Sequence, residues 1–170
     1  MQPRKISEDC HRDPAAKEHR VEEAGLDAVD IVCLDILRFF ISTFAEPQSQ
    51  NWMRGFARAA AAFGPTNGPV VAARLIALLQ AVRRGRRSMF MYSNPDCPGC
   101  CKILTEHERR LICAINGQRH GRPQLARLQL MMLCEGNSTD AVLVQLDAFM
   151  TTLAECPLHH DGAVDRADVF

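Results

Sequence analysis

The clearest candidate for chemistry in this sequence is a five-residue stretch, Cys97-Pro98-Gly99-Cys100-Cys101, called the cysteine loop below. Two cysteines separated by two residues in a proline-glycine turn can direct both thiolates at one cation, with backbone amides oriented toward the sulfurs, as in a zinc knuckle. No second C-x-x-C pair is present, so the remaining ligands must come from scattered residues. The predicted metal ligands are Cys97, Cys100, Cys101 and His107.

The cysteine loop also allows other chemistry. Thiolates just before a helix start and close to Lys102 are stabilised and therefore nucleophilic, which favours a redox-responsive dithiol. An iron–sulfur cluster or a haem is a further alternative. Cys156-Pro157 is followed by two histidines and, like Cys97-Pro98, resembles the regulatory haem-binding dipeptides of some haem-responsive proteins. The remaining alternative is a turn that holds no ligand.

Length and composition favour a single globular domain. The chain has 170 residues, 47% hydrophobic and 24% charged, enough to bury one core without disulfides.

The first 23 residues are polar and lack the apolar segment of a secretory signal, and the stretch 31–45 is too short to cross a bilayer. We therefore expect a cytoplasmic protein, in which cysteines bind metal, react with oxidants or lie in the core. Cys33 and Cys134 are predicted to be core residues.

Charge is distributed very unevenly along the chain. Residues 54–127 carry thirteen basic and three acidic side chains, whereas residues 1–53 carry six basic and ten acidic and residues 128–170 carry one basic and seven acidic. Such a basic segment attracts phosphate or an acidic protein surface, unless the acidic ends of the chain neutralise it internally. The residues predicted to contact an acidic protein or nucleic acid are Arg83, Arg84, Arg86, Arg87, Arg109 and Arg110.

The run Leu104-Thr105-Glu106-His107-Glu108-Arg109-Arg110-Leu111 resembles the opening helix of bacterial helix-turn-helix domains, including LuxR-type response regulators. The resemblance implies DNA binding, which requires a recognition helix that approaches phosphates. The last predicted helix, 139–156, has three acidic side chains and no basic one, so any nucleic acid must be bound by the helix from Gln124 or by the arginines of 83–87.

Enzymatic motifs are not found in the sequence. A glycine-rich phosphate loop, H-E-x-x-H and G-x-S-x-G are all missing. A nucleophilic pair of Cys101 with His107 is geometrically conceivable, but a surface histidine is the simpler interpretation. We therefore predict a protein without a catalytic role.

The elements that must position the cysteine loop are helices. Hydrophobic periodicity and stop signals predict an all-α single-domain bundle of about six helices, with the loop between two helical halves. Gly64-Pro65 and Asn116-Gly117 are predicted stops, and Thr105 with Glu108 forms a predicted capping box. The predicted helices are 27–44, 50–63, 69–84, 105–115, 124–135 and 139–156. The predicted organisation is a polar leader 1–24, a helical domain 25–157 and a flexible tail 158–170.

Together these patterns predict a regulatory or binding protein. In this hypothesis, zinc binding or thiol oxidation at the cysteine loop changes the placement of the helices on either side and so alters the exposed basic face. The alternative functions are a non-catalytic helical adaptor or homo-oligomerisation module without metal, and a haem or iron–sulfur sensor. No membrane partner is expected.

Overall fold

The structure is a computed structural model that describes Pro14 and residues 18–159. Within these residues the fold is all-α, as predicted, with five helices rather than about six. Single 3-10 turns lie at Val21–Glu23, Pro47–Ser49 and Cys100–Lys102. The helices are α1 (Ala28–Ala45), α2 (Asn51–Gly85), α3 (Glu106–Arg119), α4 (Pro123–Leu133) and α5 (Asp140–Glu155).

Helix α1 is the centre of the core. Asp27 and Asp30 form a capping box at its start, in which each side chain accepts from the other's backbone amide. Apolar residues cover most of its circumference, which is typical of a helix buried on several sides. Helix α1 packs against α2 and α3, α2 packs against α5, and α3 packs against α4.

The helix count differs from the prediction because the second and third predicted helices form one kinked helix, α2. Gly64 has φ 84° and ψ 162°, a conformation that only glycine adopts readily, and helical geometry resumes after it. Pro65 then stands in the first turn of the new segment, where its missing N–H costs nothing. The Gly-Pro signal therefore changes the helix direction without adding a loop.

Helix α3 begins as predicted but ends later. Thr105 and Glu108 form the expected capping box. The predicted stop at Asn116-Gly117 is wrong, because the helix continues to Arg119. Gly117 is buried where α3 meets the start of α4, and a Cβ there would lie 3.4 Å from the amide nitrogen of Ala126. Tertiary packing thus overrides the low helix propensity of the Asn-Gly pair.

The predicted leader and tail lie mostly outside the described residues. The described part of the leader includes strand β1 (His19–Arg20), which pairs antiparallel with β2 (Ile103–Leu104) directly after the cysteine loop. This two-residue pairing is the strand structure of the described chain and was not predicted. In the tail, the amide of His159 donates to the carbonyl of Ala62 at 2.9 Å.

Helix α2 is the one candidate membrane span among the described residues. By length and composition it could cross a membrane, and the mean hydropathy of its most apolar 18 residues is 1.2. Half of that window is buried inside the fold, which is also the behaviour of a core helix.

Candidate functional site

The cysteine loop is a tight hydrogen-bonded turn. The amide of Cys101 donates to the carbonyl of Cys97 at 2.9 Å, and the amide of Cys97 donates to the carbonyl of Asn94 at 3.3 Å. The amide of Cys100 points at the sulfur of Cys97, with a nitrogen–sulfur distance of 3.3 Å. A backbone N–H directed at the first sulfur of a C-x-x-C pair is the feature that the zinc-knuckle interpretation predicts, and it also stabilises a thiolate.

A buried arginine of α1 fixes the end of this loop to the core. Arg38 is 1% exposed, and its guanidinium donates through Nη1 to the carbonyl of Cys101 and through Nη2 to the carbonyl of Ile103, both at 2.6 Å. Its Nε and Nη2 also donate to the two carboxylate oxygens of Glu108, at 2.7 and 3.1 Å. The last residues of the loop therefore have a fixed position relative to helix α1.

Glu108 completes the same network from α3. Besides the two bonds from Arg38, its carboxylate accepts from the amide of Thr105 at 2.8 Å and from the amide of Ser93 at 3.1 Å. The hydroxyl of Ser93 donates to the carbonyl of Ile103 at 2.7 Å. All the polar groups of this buried cluster are thus hydrogen-bonded, which is the condition for a stabilising interior network. The sequence signal for it was an arginine within the apolar face of α1.

His107, the predicted fourth metal ligand, contacts the segment before the loop. Its Nδ1 accepts from the amide of Met91 at 2.9 Å, its ring packs edge-on against Phe90 at 5.5 Å, and Arg86 Nη2 lies 3.2 Å from Nε2. Among Pro14 and residues 18–159, no three His, Cys, Asp or Glu side chains are grouped so that they could hold a metal ion. The fold brings Cys97, Cys100 and Cys101 into one turn and gives His107 other partners.

The other cysteines divide by burial. Cys33 and Cys134 are fully buried, which confirms that they are core residues, and Cys156 is 7% exposed. Burial raises the pKa of Cys33 to about 12 and also raises the pKa values of Cys113 and Cys134. These thiols are poor nucleophiles near neutral pH. The three cysteines of the loop are each partly exposed. Cys10 and His160 lie outside the described residues.

The predicted arginine cluster is divided between surface and interior. Arg84 and Arg87 are exposed, Arg83 is exposed and covers the Phe44 ring at 4.3 Å, and Arg109 is partly buried. Arg110 is also partly buried and pairs with Glu106 one turn earlier on α3. Only the exposed members of this set can meet a partner directly.

Arg86 is the member of the predicted partner-binding set that the fold places inside. Its side chain is 2% exposed, and its Nη1 donates to the carbonyl of Leu133 while Nη2 donates to Ser88 Oγ at 2.9 Å. It also lies 3.3 Å from the carboxylate of Glu135. Because these contacts join the end of α2 to the end of α4, Arg86 has a structural role and does not belong to an exposed basic face.

Glu135 neutralises part of the basic segment from within the chain. Its carboxylate accepts from the amides of Arg87 at 3.0 Å and Ser88 at 3.2 Å, and also from the Ser88 hydroxyl. The Ser88 hydroxyl, followed by the Arg87 amide, lowers the pKa of Glu135 to about 2. The acidic C-terminal part of the chain thus folds back on the arginines at this point, as the internal-pairing alternative predicts.

A separate cavity of about 300 Å³ lies between the start of α1 and the ends of α3 and α5. Phe63, Leu153 and Cys156 supply apolar surface, and Arg119 is its charged lining residue. Arg119 already binds Asp27 at 2.7 Å and Asp30 at 2.9 Å. The cavity therefore offers apolar surface without an available charged group.

The contacts of His107 predict a pH-dependent stability. Burial, followed by the charge of Arg86, lowers the pKa of His107 below its ordinary 6.5. The folded state therefore binds this proton more weakly than the unfolded state, so His107 contributes stability that is complete above pH 6.5 and is lost as the pH falls through its lowered pKa. We expect urea midpoints of the native protein to decrease over this range, while His107→Asn, which keeps an acceptor for the Met91 amide, shows a weaker decrease. Equal pH profiles for the two proteins would contradict the assignment.

Comparison of the chain with protein-family models, with curated proteins and with solved structures finds no match in any of the three.

Proposed function

We propose that the protein is a cytoplasmic, non-catalytic regulatory binding protein in which the cysteine loop is a thiol switch. In the switch, the thiols of Cys97 and Cys100 lose two protons and two electrons to a peroxide and form one disulfide, while the peroxide is reduced to water. The observation that supports this proposal is the grouping of three partly exposed cysteines in one turn whose end Arg38 holds against the core.

The local geometry favours Cys97 as the reacting thiolate. The amide of Cys100 is directed at its sulfur at 3.3 Å, and a donor at this position stabilises the negative charge. Cys100 follows three residues later in the same turn and serves as the resolving thiol. This reaction requires two sulfurs only, whereas a closed zinc site requires four ligands.

Hydrogen bonds connect the loop to the first turn of α3. Oxidation or reduction of the thiols can therefore affect the surface near that helix. Arg38 joins the carbonyls of Cys101 and Ile103 to Glu108, so a change in the loop alters the hydrogen bonds at the start of α3. The same helix carries His107, whose Nδ1 accepts from the amide of Met91. Helix α3 is therefore joined to the segment that carries the exposed Arg87, which with the exposed Arg84 forms the basic face proposed for an acidic protein or nucleic acid.

Zinc binding is the second candidate, and the amide directed at Cys97 Sγ favours it as well. A zinc ion would be held by Cys97 and Cys100. In the part of the chain that the structure describes, no third His, Cys, Asp or Glu is grouped with them to complete the site. Elemental analysis of protein purified without chelator separates the two candidates. About one zinc per chain, lost in Cys97→Ser with Cys100→Ser, would favour the metal site over the redox switch.

The switch predicts a specific change in thiol reactivity. Mild peroxide treatment of the native protein is expected to remove two alkylatable thiols, assigned by mass spectrometry to Cys97 and Cys100, and to reverse with a dithiol reductant. Cys97→Ser is expected to abolish this loss. Cys113→Ser is the matched control, since burial raises the pKa of that thiol, and it should behave as wild type.

Two results would reject the switch. A thiol count unchanged by peroxide, in protein that also contains no metal, would leave the non-catalytic helical adaptor as the better function. Equal oxidation of Cys33 or Cys134 would mean that the fold had opened, because both are fully buried. Circular dichroism on the oxidised sample checks that its helix content is retained.

A further inference from the structure

Exposed apolar side chains are concentrated where the segment before the cysteine loop meets α4. Met89 is 81% exposed and Met91 is 58% exposed, although neither belongs to a flexible terminus. Single exposed hydrophobic residues are ordinary, but a group of them on one surface marks an interaction site. The group, called the methionine patch below, consists of Met89, Met91, Leu128, Met131 and Met132.

Contacts through α3 join the two sides of this patch. The amide of Met91 donates to His107 Nδ1 at 2.9 Å, and Arg110, three residues after His107 on the same helix face, donates to Met132 Sδ at 2.9 Å. On α4, Leu128, Met131 and Met132 are spaced three and four residues apart and therefore share one face. The two sides of the patch are thus linked through neighbouring turns of α3.

The rim of the patch is basic. Arg87 and Arg127 are exposed, and Arg127 stands one turn before Met131 on α4. The acidic side chains nearest to the patch already have partners within the chain, since Glu106 pairs with Arg110 and Glu135 binds Ser88. An occupant of the patch therefore meets apolar surface bordered by positive charge.

We propose that the methionine patch docks an amphipathic helix of a partner protein that carries apolar anchors one turn apart and acidic side chains along its flanks. Methionine side chains are flexible and polarisable, so a surface rich in them adapts to different apolar anchors. The arginine rim supplies the charge complementarity that selects an acidic helix. This names the partner class of the basic face in the proposed function, but it does not depend on oxidation of the cysteine loop.

The segment before Glu18 fits this surface less well than an acidic partner helix does. The seventeen residues before Glu18 carry four basic and three acidic side chains, so they do not complement an arginine rim.

The test uses the full chain in its reduced form and two synthetic helical peptides. Both peptides carry leucines at positions i, i+3, i+4 and i+7, and they differ only in having glutamates or lysines on the flanks. Fluorescence anisotropy is expected to show binding of the glutamate peptide at least about tenfold tighter than that of the lysine peptide, with a preference that weakens as salt is added.

Matched substitutions locate the site. Met131→Ser with Met132→Ser is expected to weaken binding of the glutamate peptide about tenfold. Val144→Ser, which changes an even more exposed apolar residue on α5, should not change it. Arg127→Glu should weaken binding more than Arg74→Glu on the exposed surface of α2. Because all samples are reduced, failure here does not affect the thiol-switch test, and failure of the switch does not affect this one.

Three results of the peptide experiments would overturn the docking proposal. These are no binding of the glutamate peptide, equal binding of the two peptides, or equal loss in Met131→Ser with Met132→Ser and in Val144→Ser. Sedimentation supplies a further check. Concentration-dependent self-association that the double methionine substitution removes would identify a second copy of this chain as the occupant, and would also reject a separate partner.

Discussion

Replacement of Arg38 by methionine is expected to lower the free energy of unfolding by about 3–5 kcal/mol, because it leaves the buried carboxylate of Glu108 without its counter-charge. The substitution also removes the donors to the carbonyls of Cys101 and Ile103, both at 2.6 Å. Urea denaturation measures the loss. Because the loop then has no anchor in α1, alkylation of Cys101 in the native protein should become faster than in wild type.

Two further variants separate the buried charge from general damage. Arg38→Met combined with Glu108→Gln keeps an acceptor for the Thr105 amide and removes the unpaired charge, so part of the lost stability should return. Arg110→Met breaks a more exposed pair with Glu106 on one helix and should cost less than about 1 kcal/mol. If Arg38→Met costs no more than Arg110→Met, the buried network has little energetic importance.

Gly68→Ala is the second substitution with a large expected effect. Helix propensity alone predicts a gain in stability of up to about 1 kcal/mol, because alanine is the best helix former and glycine is poor. The fold instead predicts that this substitution lowers the stability. A Cβ at Gly68 would stand 2.4 Å from the Cα and 2.5 Å from the amide nitrogen of Ala60, on the other side of the Gly64 kink.

Relief of this clash requires movement of backbone atoms, since no flexible side chain is available to give way. We expect Gly68→Ala to cost about 3 kcal/mol, at the upper end of ordinary overpacking. Thermal or urea unfolding measures it. Thr66→Ala, an exposed position in the same helical segment, is the matched control and should change stability by less than about 0.5 kcal/mol. A stabilised Gly68→Ala protein would contradict the close approach of Gly68 to Ala60.

The features that could be predicted from the sequence are local. The capping box of Thr105 and Glu108 joins residues three positions apart, and the turn at Cys97 depends on the proline and glycine between the cysteines. Core burial of Cys33 and Cys134 follows from the apolar residues around them in the sequence. These interactions involve residues that are close together in the sequence, so they can be predicted without knowing the fold.

The predictions that differed from the structure concern residues whose partners are distant in sequence. Arg86 was predicted to be exposed because it belongs to an arginine run, but its guanidinium reaches Leu133, 47 positions away. His107 was predicted to face the cysteines, yet it accepts from Met91 on the other side of the loop. Neither a run of arginines nor closeness in sequence identifies partners that only the folded chain brings together.

The sequence by itself determined that this protein is a helical domain with a thiol-bearing turn and a basic middle segment, since these features depend on residue types and on contacts within one helical turn. The tertiary structure decided which arginines reach the surface, how the turn is fixed to the core, and which methionines stay exposed. Glu108 and Arg38 are 70 residues apart, and the bonds between them exist only after the helices pack, when burial makes an unpaired charge costly.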